Sequence, residues 1–587
     1  MAHHTLTIHP LILRSARVAG VRDITPRMRR ITLRGEELGT FSRDGIEFPA
    51  FTSPGFDDHV KLIFASDGDV AGVLPTQLAG GIEWAPSETR QGRDYTPRRC
   101  DPEARELDLD FVLHGDGPAA SWAQGATVGD ELWFAGPKSS TVLPDGVDWV
   151  LLAGDETALP AIARFLEERP VEAPVRAIIT VTDERARQDL PIRPSDRIEW
   201  VLAGSGDRRA LADAVARLAA PAGVPYVWAA AESRALLPVR KLARTLGAPK
   251  THVNITGYWH AEAEREAPSP RATARALPEP PVMWFALRAA LDCGVLDALA
   301  AEPISVATLA HRVELPETQL EPLLELLAHG GIAARFDDRR WGLDRLGEEL
   351  CEDEHAQEHY TGVEAEQVLA LAALPAALRG TDSAWELTHG ATFRDTVERD
   401  SEFFAELVEQ AGGLPHVLSG FGRRPIWTGA KRVVITGPGA IELAEVAHEA
   451  TAARLTIQEA AGPLEVLRAA ATQHDWQFAT DLSDAQDVAV TALALGHRTD
   501  AEAVALLRSL GAAAPRALLV ERLTPDGLSP AASASQALVD FGVLGVPTRS
   551  PEATLGLIAD AGWTVVERQK LGWGIESVEV TLTEPAP

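Results

Sequence analysis

The chain has 587 residues, 45% of them hydrophobic and 24% charged, and a formal net charge of −30. That length exceeds what one hydrophobic core supports and predicts about three to five domains. The charge excludes nucleic acid and anionic membrane as partners, because both demand a cationic face. The cysteines Cys100, Cys293 and Cys351 lie far apart in the chain. They have no metal-ligand spacing and predict reduced thiols in a cytoplasmic protein. The opening "MAHHTLTIHP" has no cationic start leading into an apolar run, so no signal peptide is expected. No apolar run approaches about 18 residues, so no membrane helix is expected either.

Residues 12–143 alternate in short runs such as "RRITLRG", "DHVKLIFA" and "RELDLDFVLH", broken by Gly, Pro and Asp. Short strands without intervening helices predict a small antiparallel barrel. Within it, "GRDYTPR" (92–98) puts Arg93 and Tyr95 on one face of a strand and Asp94 and Thr96 on the other. A cation beside a flat aromatic suits an anionic, planar ligand; an exposed edge strand with a surface arginine is the plainer alternative. In "DFVLHGDGPAASWAQ" (110–124) a strand ends at His114 and a helix begins at Ala119 after a Gly-Asp-Gly-Pro turn. The first N–H groups of a helix lack internal partners and carry partial positive charge, which suits a pyrophosphate. Ser121 adds a hydroxyl, and Arg93 a charge-assisted clamp.

From residue 147 the pattern changes to continuous apolar runs, glycine turns and helices, the signature of a parallel α/β sheet. "LLAGDETALP" brings Gly154, Asp155 and Thr157 to the carboxyl end of one strand, and "YVWAAAES" brings Glu232 and Ser233 to the same edge. Neither is a GxGxxG fingerprint. Arg208 and Arg209 in "GSGDRRA" fit a 2′-phosphate or equally a solvated pair at a helix start. Residues 261–281 hold five prolines and no apolar periodicity, which predicts a semi-rigid linker.

The ordered motifs "RDYTPR", "DFVLHG", "GPAASWA", "GDETALP" and "TGYWH" resemble the siderophore-interacting protein family of flavin-dependent ferric-siderophore reductases, relatives of ferredoxin–NADP reductases. The resemblance covers about residues 12–260. It implies a barrel that binds FAD, followed by a nicotinamide-binding α/β domain, with NAD(P)H or ferredoxin as electron donor and a ferric siderophore as substrate. It also implies that Arg93, Asp94, Tyr95 and Thr96 hold the FMN end of FAD, and that Asp110, Phe111, Val112, His114, Ala120 and Ser121 line the rest. Gly257, Tyr258 and Trp259 would close the site, and Gly154, Asp155, Thr157 and Glu232 would contact NAD(P). "GYWH" is followed by "AEAEREAP", where family members usually carry Arg and Gly after the Trp. The siderophore supplies the iron ligands, so neither a protein metal site nor a catalytic side chain is expected. Attracting an anionic complex to a protein of charge −30 requires a local basic patch. Lys61, Lys138 and Arg240 with Lys241 are candidates, each equally readable as a solvated charge.

After the linker, "PVMWFALRAALDCGVLDALA" opens a helical stretch with a winged-helix outline. Residues 281–350 carry twelve acidic and six basic side chains, a net of −6, so this is not a DNA reader but a dimerisation element. Together with the second α/β pattern near the C-terminus, residues 281–587 resemble the S-adenosylmethionine-dependent O-methyltransferases of small molecules. In "RVVITGPGAIELA" Gly437 and Gly439 remain, but Ile435 stands at the family's acidic position, and Pro438 and Ile441 replace glycines. Glu459 is left as the acid for the ribose. Setting Asp500 on the family's His-x-Trp-x-Asp pattern puts Gly496 at the base and Arg498 at the Trp. His497 then falls one position late, rotated about 100°, and is expected on the surface. The resulting expectation is a multidomain chain: FAD-binding β-barrel (1–145), NAD(P)-binding-like α/β domain (146–262), linker (263–281), winged-helix-like dimerisation domain (282–375) and degenerate methyltransferase-type Rossmann domain (376–587). The alternative is a bifunctional enzyme that also methylates siderophores.

Overall fold

The computed structural model describes all residues except 1–4, 114–116, 205–206, 260–279, 302, 337–338, 353, 472–473, 475, 483, 525–529 and 584–587. His114 and nearly all of the expected linker therefore lie outside the described residues.

The first sheet is built from β1 (Leu13–Thr25), β2 (Met28–Arg34), β3 (Val60–Ala65), β4 (Arg90–Tyr95), β5 (Pro97–Asp101), β6 (Glu106–Val112) and β7 (Glu131–Ala135). Its order is β5-β6-β2-β1-β7-β3-β4, with every pairing antiparallel. β4 and β5 are opposite edges of this sheet, yet only Thr96 separates them in the chain. The sheet must therefore curl until its edges meet at Thr96. Period-two alternation drives the curl: Ile31, Leu33, Leu107, Leu109 and Phe111 point inward and are fully buried. Each such side chain contributes about 1.5–3 kcal/mol.

The second sheet comprises β8 (Trp149–Gly154), β9 (Val175–Val181), β10 (Arg197–Leu202), β11 (Pro225–Glu232) and β12 (Val253–Trp259). It is wholly parallel, in the order β10-β9-β8-β11-β12. β8 and β11 are buried at every position because helices cover both faces, which explains their unbroken apolar sequences. The strand order reverses at β8 and β11, and the carboxyl ends of these strands open a crevice there. A Cβ at Gly154 would collide with the Ala230 carbonyl oxygen and the Ala158 side chain, so only glycine fits this turn.

Beyond the linker, helices Val282–Asp292, Val295–Ala301, Val306–Arg312 and Glu317–His329 pack around Leu296, Leu309, Leu324 and Leu327. The hairpin of β13 (Ala333–Arg335) and β14 (Trp341–Leu343) follows. This is the helix-and-hairpin outline read from the sequence. The third large sheet holds β15 (Arg432–Thr436), β16 (Arg454–Gln458), β17 (Gln477–Ala479), β18 (Val488–Ala492), β19 (Arg516–Arg522), β20 (Trp563–Gly572) and β21 (Ile575–Leu582). Its order is β17-β16-β15-β18-β19-β21-β20, with β21 antiparallel to both neighbours, a methyltransferase-like topology. Among the described residues no helix is long and apolar enough to cross a membrane.

Candidate functional site

The first site forms where the barrel closes. β5 and β6 last pair at Pro97 and Leu109. From Asp110 to Val112, β6 continues on β2 alone, which leaves one strand edge without a strand partner among the described residues. Tyr95 flanks that edge with its ring on Phe111, centroids 4.5 Å apart, and Phe111 in turn meets Trp122. Burial pushes the Tyr95 phenol up to about 12, so it stays protonated and able to donate. The Arg93 guanidinium is exposed and, among the described residues, hydrogen-bonds the Gly92 carbonyl at 2.6 Å and no carboxylate, so its charge is available to an anion. Helix Pro118–Gly125 opens beside this edge with Gly117 as an N-cap that offers no side-chain acceptor. Ser121 N–H is the first described donor to close on the helix, bonding Gly117 O at 2.9 Å. The Ala119 and Ala120 N–H groups thus form the mouth, and the exposed Ser121 hydroxyl stands next to them.

These groups fit a flavin dinucleotide: a strand edge for the polar rim of the ring, an aromatic flank, and a cation and helix mouth for the pyrophosphate. Three expected contacts change character. Both oxygens of Asp110 are held by Arg30, at 2.7 and 2.8 Å, and Phe111 is wholly inside the core. Those two residues can offer a ligand only their backbone. Asp94 pairs with Lys61 at 2.8 Å, so one expected flavin contact neutralises one expected siderophore contact.

The second site is a cleft at the carboxyl edge of the parallel sheet, lined by Asp155, Thr157 and Glu232. Asp155 Oδ1 accepts from the Thr157 N–H (2.8 Å) and hydroxyl (2.6 Å). Its Oδ2 accepts from the Glu232 N–H (3.1 Å) and Trp259 Nε1 (2.7 Å). Burial raises this carboxyl's pKa. Trp259 thus reaches into this cleft, which Val112 at the end of the open β6 edge also lines. Tyr258, beside Trp259 on β12, lies edge-on to Trp228 with ring centroids 6.4 Å apart. Gly257 is needed because a Cβ there would strike Ser233 Oγ. Arg209 is exposed and does not line the cleft, where Asp207 caps the adjacent helix instead.

Several residues were missed. Arg27 enters the cleft from the barrel and pairs with buried Glu156 at 2.9 Å. Asp57 joins the two domains, accepting from Trp228 Nε1 (3.1 Å) and Asn254 Nδ2 (2.9 Å), and burial lifts its carboxyl to about 6. The only sequence signal was an acidic pair directly before an apolar strand. Lys61 and Lys138 both lie within electrostatic reach of His59, whereas Arg240 sits on helix Leu237–Thr245 of the other domain.

The corresponding turn of the third sheet is filled by the chain itself. Glu459 Oε1 accepts from Gly437 N–H and the Thr436 hydroxyl, both at 2.7 Å. Gly439 N–H bonds Ala492 O at 3.1 Å, and the Leu414 side chain occupies the space a Cβ at Gly439 would need. Ile435 is fully buried. His497 is 6% exposed and not at the surface, a second correction. Its Nε2 accepts from Arg498, and burial beside Arg498 and Arg394 drives its pKa well down.

Two family models match the chain: the siderophore-interacting FAD-binding domain over residues 17–141, and the siderophore-interacting protein over 147–262. The NADPH-dependent ferric-chelate reductase of Escherichia coli (strain K12) is 34% identical over 258 residues, spanning 43% of this chain and 94% of the relative. The ferric vibriobactin reductase of Vibrio cholerae is 28% identical over 272 residues, 46% of this chain and 95% of the relative. Over the back half, a solved O-methyltransferase from neocarzinostatin biosynthesis aligns at 21% identity and a TM-score of 0.43, covering 53% of this chain and all of that one. Through its front half, which carries both the barrel-closure site and the cleft beside it, the chain belongs to the siderophore-interacting protein family.

Proposed function

We propose that the protein is a ferric-siderophore reductase, in which FAD bound at the barrel closure receives electrons from NAD(P)H bound in the cleft. The observation that carries this reading is that Val112, at the end of the open edge of β6, also lines the cleft that holds Asp155 and Trp259. When bound, FAD accepts an electron pair and releases electrons singly, which is what a ferric ion requires. Arg93 and the mouth of helix Pro118–Gly125 neutralise the pyrophosphate, and Tyr95 and Thr96 fix the ring at the strand edge. Ferredoxin is the alternative donor. The test is anaerobic: bleaching of the flavin absorbance by NADH, NADPH or reduced ferredoxin, then reoxidation by ferric siderophores. A protein that never retains flavin on reconstitution overturns the reading.

The back half, on this reading, is a non-catalytic association module. The filled turn at Gly437–Gly439 supports loss of cofactor binding, and exposed Val282, Phe285 and Val368 on its helices support a homodimer. Light scattering on the full chain is expected to give twice the monomer mass. The bifunctional methyltransferase reading requires the opposite of that filled turn.

A further inference from the structure

The two halves touch through glycines on both sides. A Cβ at Gly81 would crowd the Leu571 carbonyl, and one at Gly572 would crowd the Ile82 carbonyl, each at 2.9 Å. Gly574 N–H donates to Glu83 Oε2 at 3.3 Å. The turn between β20 and β21 is therefore seated on the short hairpin strand Ile82–Glu83 of the barrel. At its tip Trp573 is held at φ 53°, a left-handed conformation that a bulky residue keeps only when its surroundings impose it. Its ring lies 5.6 Å from the His416 ring, and His416 lies within electrostatic reach of Lys138.

This seam borders the flavin strand. Across the sheet, Ala135 is opposite Lys61 and Lys61 is opposite Asp94, while Val60 is opposite Tyr95. Lys138 follows β7 directly, is exposed, and has no carboxylate partner among the described residues. Burial and the Lys138 charge hold the His416 imidazole near 4, so at neutral pH it presents a ring and not a charge. An ammonium group beside an imidazole and an indole is a surface for an anion with aromatic faces.

We propose that the ferric complex docks on a composite rim, Lys138 from the barrel with His416 and Trp573 from the back half, and that the back half thereby selects bulky anionic chelates bearing aromatic rings. This rests on the reductase reading, and it gives the second half a role in substrate choice.

The test uses the full-length flavoprotein and a redox-inert probe, the gallium(III) tris-catecholate complex, with gallium citrate for comparison, titrated calorimetrically. Trp573→Ala and His416→Ala are each expected to raise the tris-catecholate Kd about five- to tenfold, the scale of one lost aromatic contact. The preference over citrate should fall by the same factor, and Trp573→Phe should restore most of it. Lys138→Gln, a surface change that keeps the fold, should weaken the tris-catecholate more in low salt than in high salt. Unchanged tris-catecholate Kd values in Trp573→Ala, His416→Ala and Lys138→Gln overturn the composite rim. Failure of the reductase reading is distinct: reduced flavin of the wild-type protein would then not be reoxidised by any ferric chelate.

Discussion

Two of the sheets in this chain begin with a strand that ends in a glycine turn, and the turns differ in what meets them. After β8 the turn at Gly154 opens on a cleft lined by Asp155, Thr157, Glu232 and Trp259. After β15 the turn at Gly437 faces Glu459, Ala492 and Leu414, which take its N–H groups and its space. A glycine turn after the first strand of an α/β sheet is thus only permission for a nucleotide. At both turns an acid takes backbone N–H groups, Asp155 from Thr157 and Glu232 and Glu459 from Gly437, so what separates them is space, which Leu414 fills at Gly439.

The sharpest way to break the front half is to strip Arg30 from Asp110. That carboxylate is buried, and losing its hydrogen-bonded partner, with Arg98 remaining at 3.8 Å, costs up to about 3–5 kcal/mol. Arg30→Ala is expected to lose that much, read as faster hydrogen exchange of the β2 and β6 amides, together with loss of flavin. Asp57 should have a smaller, pH-dependent effect. Its folded pKa, about 6, lies above the ordinary carboxylate value, so the native state binds the proton more tightly than the unfolded chain. Stability from this group is full below about pH 4 and declines as pH rises to about 6, by up to about 3 kcal/mol. Asp57→Asn should flatten that slope, measured as the difference in unfolding free energy between wild type and variant across the window. Arg93→Ala comes next: losing one charge-assisted contact should weaken FAD about tenfold or somewhat more by fluorescence titration, with the fold intact. The smallest expected effect concerns the back half. Calorimetric titration of the full chain with S-adenosylmethionine should release no binding heat, and a micromolar Kd would erase the contrast between the two turns.

What was legible depended on where the information resides. The antiparallel barrel was readable because alternation and turn residues are local, and "RDYTPR" with "GPAASWA" marked the strand edge and helix mouth that the fold brings together. The bond from Trp259 to Asp155 was not legible, because it depends on how β12 and the turn after β8 come together in the sheet. Asp57 carried almost no signal, since its meaning lies in Trp228 and Asn254, which reach it from far along the chain. His497 was expected outside because a one-residue slip was judged against an ideal helix. The residue instead precedes the helix Asp500–Ala513, in a segment pinned by Arg498 and Glu521.

By itself the amino-acid order determined the antiparallel and parallel strand patterns, the family motifs and the damaged glycine turn, because periodicity, turn chemistry and missing N–H or Cβ atoms are properties of neighbouring residues. Only the tertiary structure decided that Thr96 joins the two edges of the barrel, that Trp259 bonds Asp155, and that the turn carrying Trp573 sits on Ile82 of the barrel. Those depend on contacts between segments far apart in the chain, where burial and close approach are set by the whole fold.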